Sequence, residues 1–298
     1  MKYAIEAKGL VKRHGSVRAL AGLDLIVPEG SVFGLLGPNG AGKTTALKGL
    51  LGLARFDAGT VSVLGVDAAD PRRSLELRAR VGYASSDMSL FGFLTVDDHI
   101  ELCRGLYPSW DQGLVQRGLD LFALPRRRKA GALSRGMRGQ LGLILALGPR
   151  PALLMLDEPT AGLDPLMRRA FLSVLLGEVA ARGGTVLMAS HQLTEVERTC
   201  DRVAIIHRGR AVASGGLDEL KLTRKQVRVV LPEGSDINLA ALPGVVSVAR
   251  AGHGFALHVS DGGIGVAEAL GRVSGAIVDT EALTLEDIFC TEVGRETP

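Results

Sequence analysis

The sequence contains few aromatic residues and no long apolar segment. Aromatic residues make up 4% of its 298 residues, whereas hydrophobic residues make up 46%. The slightly positive mean hydropathy, +0.22, comes from Ala, Leu, Val and Gly rather than from a membrane segment. No apolar run approaches the ~20 residues that a membrane-spanning helix requires, and the best candidate, residues 141–156, is interrupted by Pro149, Arg150 and Pro151. The opening MKYAIEAKGL lacks the apolar centre of a signal peptide. We therefore expect a soluble protein.

Cysteine and net charge are also low. Cys103, Cys200 and Cys290 show no metal-ligand spacing, which favours inert thiols in a reducing cytosol over a metal site or a disulfide. The 35 basic and 32 acidic residues nearly balance, so the charge does not favour nucleic acid as a partner. We expect a cytoplasmic protein that binds no nucleic acid.

The chain is long enough for one large domain and one small domain. Over residues 1–222, short apolar runs alternate with helical patterns, which predicts an α/β fold with a mostly parallel sheet and some antiparallel strands. A helical subdomain is expected at residues 95–147. Over residues 223–298, four short strands and two helical stretches follow the order βαββαβ, which predicts a small α+β domain of ferredoxin-like type.

A glycine-rich motif, GPNGAGKT, follows the apolar run SVFGLL and begins a helix. Its glycines let backbone N–H groups surround a phosphate chain, and the helix N-terminus favours negative charge. This P-loop pattern favours a bound nucleoside triphosphate over a chance glycine turn. Lys43 is expected to reach the β- and γ-phosphates, and Thr44 to bind Mg²⁺. The candidate nucleotide-binding residues here are Gly37, Pro38, Asn39, Gly40, Ala41, Gly42, Lys43, Thr44 and Thr45.

Two acidic residues end a second apolar run, LLMLDEP. Asp157 is expected to hold the Mg²⁺ shell, and Glu158 to act as a base for the attacking water or to orient it. The simpler alternative is that both acids cap a turn. A third strand, TVLMAS, precedes His191. Because ligands bind at the carboxyl edge of parallel sheets, His191 is predicted to donate to the γ-phosphate, although a lone histidine is more often structural.

The string LSRGM lies far along the chain from the P-loop and has no evident task in its own chain's active site. Ser134 and Gly136, at a predicted helix N-terminus, look like phosphate contacts offered to another chain's nucleotide.

These motifs, in this order and spacing, and with AGLD at residues 161–164, resemble the nucleotide-binding subunits of ABC transporters over residues 1–222. The resemblance implies a head-to-tail homodimer that binds two ATP molecules between its P-loops and the partner's LSRGM segments. Ser134 and Gly136 would then contact the γ-phosphate of the partner's ATP, and Asp164 would lie at the dimer seam. His14 falls where the family usually has an aromatic that stacks on adenine, although a plain turn residue is the alternative.

Two positions depart from the family. Its signature is usually LSGGQ, whereas this chain has Arg135 and Met137. Arg135 is either a charge contact or a solvated side chain. In the segment VGYASSD, expected to be a loop, Ser86 replaces the Gln or Glu that normally approaches Mg²⁺, and Asp87 is a candidate substitute. Weak hydrolysis or weak coupling to transport is therefore an open alternative.

Met137 and the string TLEDIF at residues 284–289 are similar to ABC-2-type exporter ATPases, and LYPSWD at residues 106–111 resembles one bacterial branch. TLEDIF also fits a helix capped by Thr284 and Asp287. The resemblance implies an ATPase attached to the cytoplasmic face of the inner membrane through a separately encoded permease. Alternatives are a regulatory subunit paired with a paralogous ATPase, or a non-transport ABC ATPase. The single P-loop and the lack of heptads argue against the latter.

Overall fold

A computed structural model of the chain describes residues 2–180, 182–232, 235, 237–260 and 262–294. Two compact units divide the chain, Met1–Ala211 and Val212–Pro298, and the boundary falls inside the strand Arg210–Gly216.

Strands and helices alternate along most of the first unit. Its strands, the last of which crosses the boundary, are β1 (Tyr3–His14), β2 (Val17–Pro28), β3 (Val32–Leu36), β4 (Ala58–Val63), β5 (Val66–Asp67), β6 (Val81–Ser85), β7 (Leu153–Asp157), β8 (Thr185–Ser190), β9 (Arg202–His207) and β10 (Arg210–Gly216). Its helices are α1 (Lys43–Leu50), α2 (Ser74–Arg80), α3 (Val96–Leu106), α4 (Gln112–Leu121), α5 (Arg135–Leu147), α6 (Pro165–Ala180) and α7 (Leu193–Thr199).

A six-stranded sheet with the order β10-β9-β3-β8-β7-β6 forms the centre of this architecture. The pairings among β9, β3, β8, β7 and β6 are parallel. Every residue of β7 and β8 is buried, as expected for parallel strands covered on both faces. The parallel order brings the carboxyl ends of β3, β8 and β7 to one edge, so the residues that follow these strands are neighbours.

A second, antiparallel sheet has the order β2-β1-β4-β5. Together the two sheets confirm the predicted α/β fold with a mostly parallel sheet and additional antiparallel strands. The expectation that the VGYASSD segment is a loop was wrong for its first five residues. Val81–Ser85 forms β6 at the edge of the parallel sheet, beside β7. Only Ser86 and Asp87 lie in the turn that follows.

Helix caps fix the starts of α3, α4 and α5 between residues 96 and 147. Thr95 and Asp98 form a reciprocal capping box at α3, Asp111 caps α4 through the Leu114 N–H at 3.0 Å, and Ser134 caps α5. Asp111 also binds Arg150 Nε at 2.8 Å. The hydrogen bond from the Leu114 N–H, with added help from the arginine, lowers the pKa of Asp111 to about 2.

The second unit has its own sheet and its own apolar core. Its antiparallel strands, β11 (Lys225–Val230), β12 (Val245–Ala251), β13 (Gly254–Val259) and β14 (Ile277–Ala282), lie in the order β12-β13-β11-β14. The first of the two helical stretches expected in this unit is only a 3-10 turn, Leu239–Ala241. Thr284 and Asp287 exchange capping hydrogen bonds, which confirms the capped helix predicted from TLEDIF. The helices of this unit are α8 (Leu217–Thr223), α9 (Ile264–Gly271) and α10 (Leu285–Gly294).

Candidate nucleotide-binding and active site

The P-loop connects β3 to α1 at the carboxyl edge of the parallel sheet. Helix α1 starts at Lys43 and has no side-chain cap. The N–H groups of its first turn are therefore available to an anion bound at the N-terminus of the helix. Gly42 adopts φ 108°, and a Cβ there would lie 2.5 Å from the Ala19 oxygen. Only glycine therefore fits this turn against β2. This is the geometry of a phosphate-binding loop.

Lys43 is buried, and its charge has three partners. Its Nζ donates to Gly37 O at 2.7 Å and to Pro38 O at 3.2 Å. The same Nζ lies 3.3 Å from Glu158 Oε1 in an ion pair. The structure thus joins the predicted phosphate-binding lysine directly to the predicted base.

Glu158 follows β7 in an unusual backbone conformation. Its φ is 49°, in the left-handed region that non-glycine residues rarely occupy and that often marks functional sites. The Glu158 N–H donates to Ala189 O of β8 at 2.9 Å, which holds this turn in place. The Glu158 Oε2 lies 2.7 Å from His191 Nδ1. Lys43, Glu158 and His191, predicted from three separate motifs, therefore form one contiguous cluster.

Asp157 is the last residue of β7 and is nearly buried. Burial raises the pKa of its carboxyl, and the hydrogen bond from the Thr44 side chain partly opposes that shift. Among the described residues, Asp157 Oδ1 is a buried atom with no hydrogen-bond partner. A hydroxyl beside an unsatisfied buried carboxylate oxygen is a donor set that suits Mg²⁺. The residues present therefore fit this metal.

Ser86 lies next to Asp157, and its backbone N–H donates to Asp157 O at 3.2 Å. A cleft of about 410 Å³ opens here, lined by Thr44, Asp157, Glu158 and residues 85–89 among others. Arg135, the first residue of α5, contacts this segment. Its Nη2 lies 2.9 Å from Asp87 Oδ1 and 3.4 Å from Ser86 Oγ. Of the two interpretations of Arg135, the structure therefore shows a charge contact within its own chain.

The remaining predicted residues lie elsewhere. Ser134 Oγ accepts from the Met137 N–H at 3.2 Å, and Gly136 follows in the first turn of α5. Asp164 Oδ1 accepts from the first two N–H groups of α6 that follow Pro165, each at 2.9 Å. His14 is exposed at the turn between β1 and β2. None of the contacts found among the described residues connects these four residues to the Lys43–Glu158–His191 cluster.

Sequence reasoning missed a buried acid on α7. Glu195 accepts hydrogen bonds from Thr160 Oγ1 at 2.5 Å and from Ser190 Oγ at 3.0 Å. The sequence shows an acidic residue four positions after His191, between Leu193 and Val196 of a short helix. That pattern alone does not identify the partner at residue 160.

Comparisons with known proteins agree with this geometry. A family model described as ABC transporter matches residues 20–161. The chain is 37% identical to the daunorubicin resistance ATP-binding protein DrrA2 of Streptomyces coeruleorubidus, over 99% of this chain and 92% of the relative. The chain belongs to the ATP-binding proteins of ABC transporters. As a member of that family it binds ATP, and it is an ATPase coupled to transport, as predicted.

Further comparisons support the family assignment. The Nod factor export ATP-binding protein I of Burkholderia lata is 35% identical over 98% of this ABC protein and 97% of its own length. A solved structure described as the ATP-binding subunit of an ABC transporter has a TM-score of 0.66 and 31% identity, covering 73% of this chain and 92% of the other. Within the part of the chain that the structure describes, no helix has the length and apolar character that crossing a membrane requires.

Proposed function

We propose that this chain powers a separately encoded permease of the ABC-2 export type by hydrolysing ATP. The observation that carries the proposal is the Lys43–Glu158–His191 cluster at the carboxyl edge of the parallel sheet. The Nod factor export protein and the daunorubicin resistance protein, both similar to this chain over most of their lengths, are named for export or resistance. The similarity supports export without naming a substrate for this chain.

Each residue of the cluster has a distinct role in this proposal. Lys43 neutralises phosphate charge. Glu158 accepts the proton of the attacking water, which for a well-placed base contributes about 10²- to 10⁴-fold to the rate. His191 Nδ1 holds Glu158 Oε2, and we assign Nε2 as the donor to the γ-phosphate. Both contacts together require an N–H on each ring nitrogen, which is the imidazolium form. These roles are consistent with phosphoryl transfer in general, in which positioning and charge neutralisation lower the barrier.

Thr44 and Asp157 are the proposed Mg²⁺ ligands, with the Ser86 hydroxyl close by. Mg²⁺, when bound, neutralises charge on the phosphates. The support is the buried, unsatisfied Asp157 Oδ1 together with the Thr44 hydroxyl. Ser86 is shorter than the Gln or Glu usual in the family, so any metal contact from this position needs closer approach or a water.

A head-to-tail dimer is the proposed ATP-bound assembly, formed with a second copy or with a paralogous ATPase. Ser134 and Gly136 begin α5, where first-turn N–H groups and the helix dipole favour a phosphate. Asp164, at the start of α6, is the proposed seam residue. The Ser134 oxygen accepts the Met137 N–H, which leaves its own O–H as the donor for the partner's γ-phosphate.

The proposed permease contact lies beside the cleft that Ser86 and Asp87 line. Phe91 and Phe93 are exposed, with ring centroids 5.9 Å apart, and exposed aromatic pairs are typical of protein interaction sites. Such an interface would attach this chain to the cytoplasmic face of the inner membrane.

We retain the functional division into an ATPase domain, residues 1–222 with a helical subdomain at 95–147, and a small domain at 223–298. The strand order β12-β13-β11-β14 with antiparallel pairing supports a ferredoxin-like arrangement. The first helix of that arrangement would then be reduced to the 3-10 turn Leu239–Ala241.

The variant Glu158→Gln tests the proposed function. We expect it to lower ATP hydrolysis by about 10²- to 10⁴-fold and to elute as a dimer with ATP and Mg²⁺. Adding Ser134→Arg should return that variant to monomer, because a long cation replaces the phosphate-facing hydroxyl. Glu76→Gln is the matched control, since its exposed ion pair with Arg73 lies away from the cluster. Unchanged hydrolysis, or a monomeric Glu158→Gln protein with ATP, would contradict the proposal.

A further inference from the structure

Glu195 is a buried acid that belongs to none of the motifs of the site. It lies on α7 and is 3% exposed. Its two carboxylate oxygens accept hydrogen bonds from two different hydroxyls, Oε1 from Thr160 at 2.5 Å and Oε2 from Ser190 at 3.0 Å. Burying a carboxylate costs free energy unless it is well hydrogen-bonded. The structure meets this requirement with two hydroxyls from two other segments of the chain.

The two hydroxyls lie on the segments that carry the cluster. Thr160 is two residues beyond Glu158, in the turn that follows β7. Ser190 is the last residue of β8 and immediately precedes His191. Ser190 also accepts the Gln192 N–H on Oγ, at 3.0 Å, and the Gly37 N–H on its carbonyl oxygen, at 3.4 Å. One side chain on α7 is therefore hydrogen-bonded to both segments that position the proposed base and its histidine.

The hydrogen bonds of Glu195 favour a fixed arrangement. Burial raises the pKa of Glu195, with a smaller contribution from the negative charge of Glu158, and the hydrogen bonds from Thr160 and Ser190 and the positive charge of Arg168 on α6 only partly oppose that shift. Fully satisfied buried networks of this kind hold their members rigidly, because any rotation leaves a buried polar atom unpaired.

We propose that Glu195 is a positioning residue for ATP hydrolysis, which sets the separation and orientation of Glu158 and His191 through Thr160 and Ser190. The inference rests on the proposed roles of Glu158 and His191. The hydrogen bonds of Glu195 go to Thr160 and Ser190, so in this proposal it acts through these two residues. It acts on the chemical step because displacing a reacting group by about 1 Å can cost 100-fold in rate. Because Glu195 has no direct hydrogen bond to the P-loop among the described residues, we expect the binding of ATP to change little when Glu195 is replaced.

Steady-state ATPase kinetics of the full chain test this role. In Glu195→Gln, a neutral amide of similar volume replaces the carboxylate and cannot accept both hydroxyl bonds. We expect kcat to fall about 10- to 100-fold with KM for ATP within about three-fold of wild type. Glu197→Gln removes the same charge from the same helix and should leave both constants near wild type. A kcat of Glu195→Gln within two-fold (about 0.4 kcal/mol) of that control would overturn the proposal.

A second pair of variants tests the same role even if Glu195→Gln fails to fold. Thr160→Val removes the hydroxyl, and Thr160→Ser keeps it. We expect Thr160→Val to lower kcat, Thr160→Ser to restore it, and the double variant Thr160→Val with Glu195→Gln to be no slower than the slower single one. Additive losses, or equal kcat for the Val and Ser variants, would refute a shared contact.

Glu158→Gln, measured under the same conditions, separates the positioning role of Glu195 from the proposed function. If it hydrolyses ATP normally, the proposed active site fails; if it is inactive while Glu195→Gln is normal, only the positioning role fails.

Discussion

Arg135 provides a prediction whose size follows from its surroundings. It stands between Ser134 and Gly136, which we assign to the partner's phosphate, yet its guanidinium lies 2.9 Å from Asp87 of its own chain. The two side chains are 52% and 81% exposed, so water and salt screen their attraction. Exposed ion pairs contribute about 0.2–1 kcal/mol, and about 1.4 kcal/mol corresponds to a tenfold change in rate. We therefore expect Arg135→Gly to change kcat/KM for ATP by no more than about five-fold.

Asp87→Asn is the matched variant, because it removes the other half of the same pair. If the pair is the main contact of Arg135, then Arg135→Gly, Asp87→Asn and the double variant should all fall within the same five-fold range (about 1 kcal/mol). Their differences from wild type should shrink further in about 1 M salt, where the Debye length is about 3 Å. The assay is steady-state ATP hydrolysis at low and high salt.

One pattern would refute this reasoning. If Arg135→Gly lost more than about 100-fold in kcat/KM, or about 2.7 kcal/mol of transition-state stabilisation, while Asp87→Asn stayed near wild type, the ion pair could not account for the loss. Arg135 would then act on the partner's nucleotide, and its contact with Asp87 would be incidental.

Two further predictions concern stability, measured by urea unfolding. Asp111→Asn keeps an oxygen for the Leu114 N–H but loses the charge that binds Arg150. Because the folded pKa of Asp111 is lowered to about 2 from an ordinary value of 3.8, the stabilisation from this charge is complete above about pH 5. The difference in the free energy of unfolding between wild type and Asp111→Asn should therefore narrow as the pH falls from about 5 towards 2. A difference that widens over this range would contradict the prediction. Gly37→Ala should destabilise by about 1–3 kcal/mol, since the new Cβ would overlap the Ile206 carbonyl oxygen. Gly105→Ala, in an open position of α3, should instead stabilise by up to about 1 kcal/mol; equal effects of the two would show that packing at the P-loop is not the cause.

Most of the fold follows from local patterns that the sequence carries. Apolar runs alternating with helical periods predict a parallel sheet, and such a sheet brings the residues after its strands to one edge. For that reason Glu158 and His191 could be placed near Lys43, although both follow it by more than one hundred residues. The strand β6 escaped prediction because VGYAS is short and three of its five residues are Gly, Ala or Ser, so it has little strand propensity of its own. Residues 81–85 form a strand because they pair with β7.

The contacts of individual side chains could not be predicted in the same way. Thr160 and Glu195 lie 35 residues apart, and no periodicity links them. They meet because the turn after β7 passes over the start of α7, which depends on packing across the sheet edge. Arg135 and Asp87 meet for a similar reason, since α5 begins beside the turn that follows β6. Sequence indicated that Arg135 was unusual but could not choose its partner.

The partners of Lys43 link the two roles that we propose, phosphate binding by Lys43 and proton acceptance by Glu158. A lysine ammonium has three hydrogens, and two of them are directed to the Gly37 and Pro38 carbonyls at 2.7 and 3.2 Å. Glu158 Oε1, at 3.3 Å, attracts the ammonium by charge without a directed hydrogen bond. A phosphate oxygen that takes the third hydrogen therefore competes with Glu158 alone, and the P-loop contacts of Lys43 stay intact. The His191 bond to Oε2 holds the carboxylate in place as Oε1 is released. With the roles that we propose for Lys43 and Glu158, binding the triphosphate and freeing Glu158 Oε1 to accept a proton from water are a single event at Lys43.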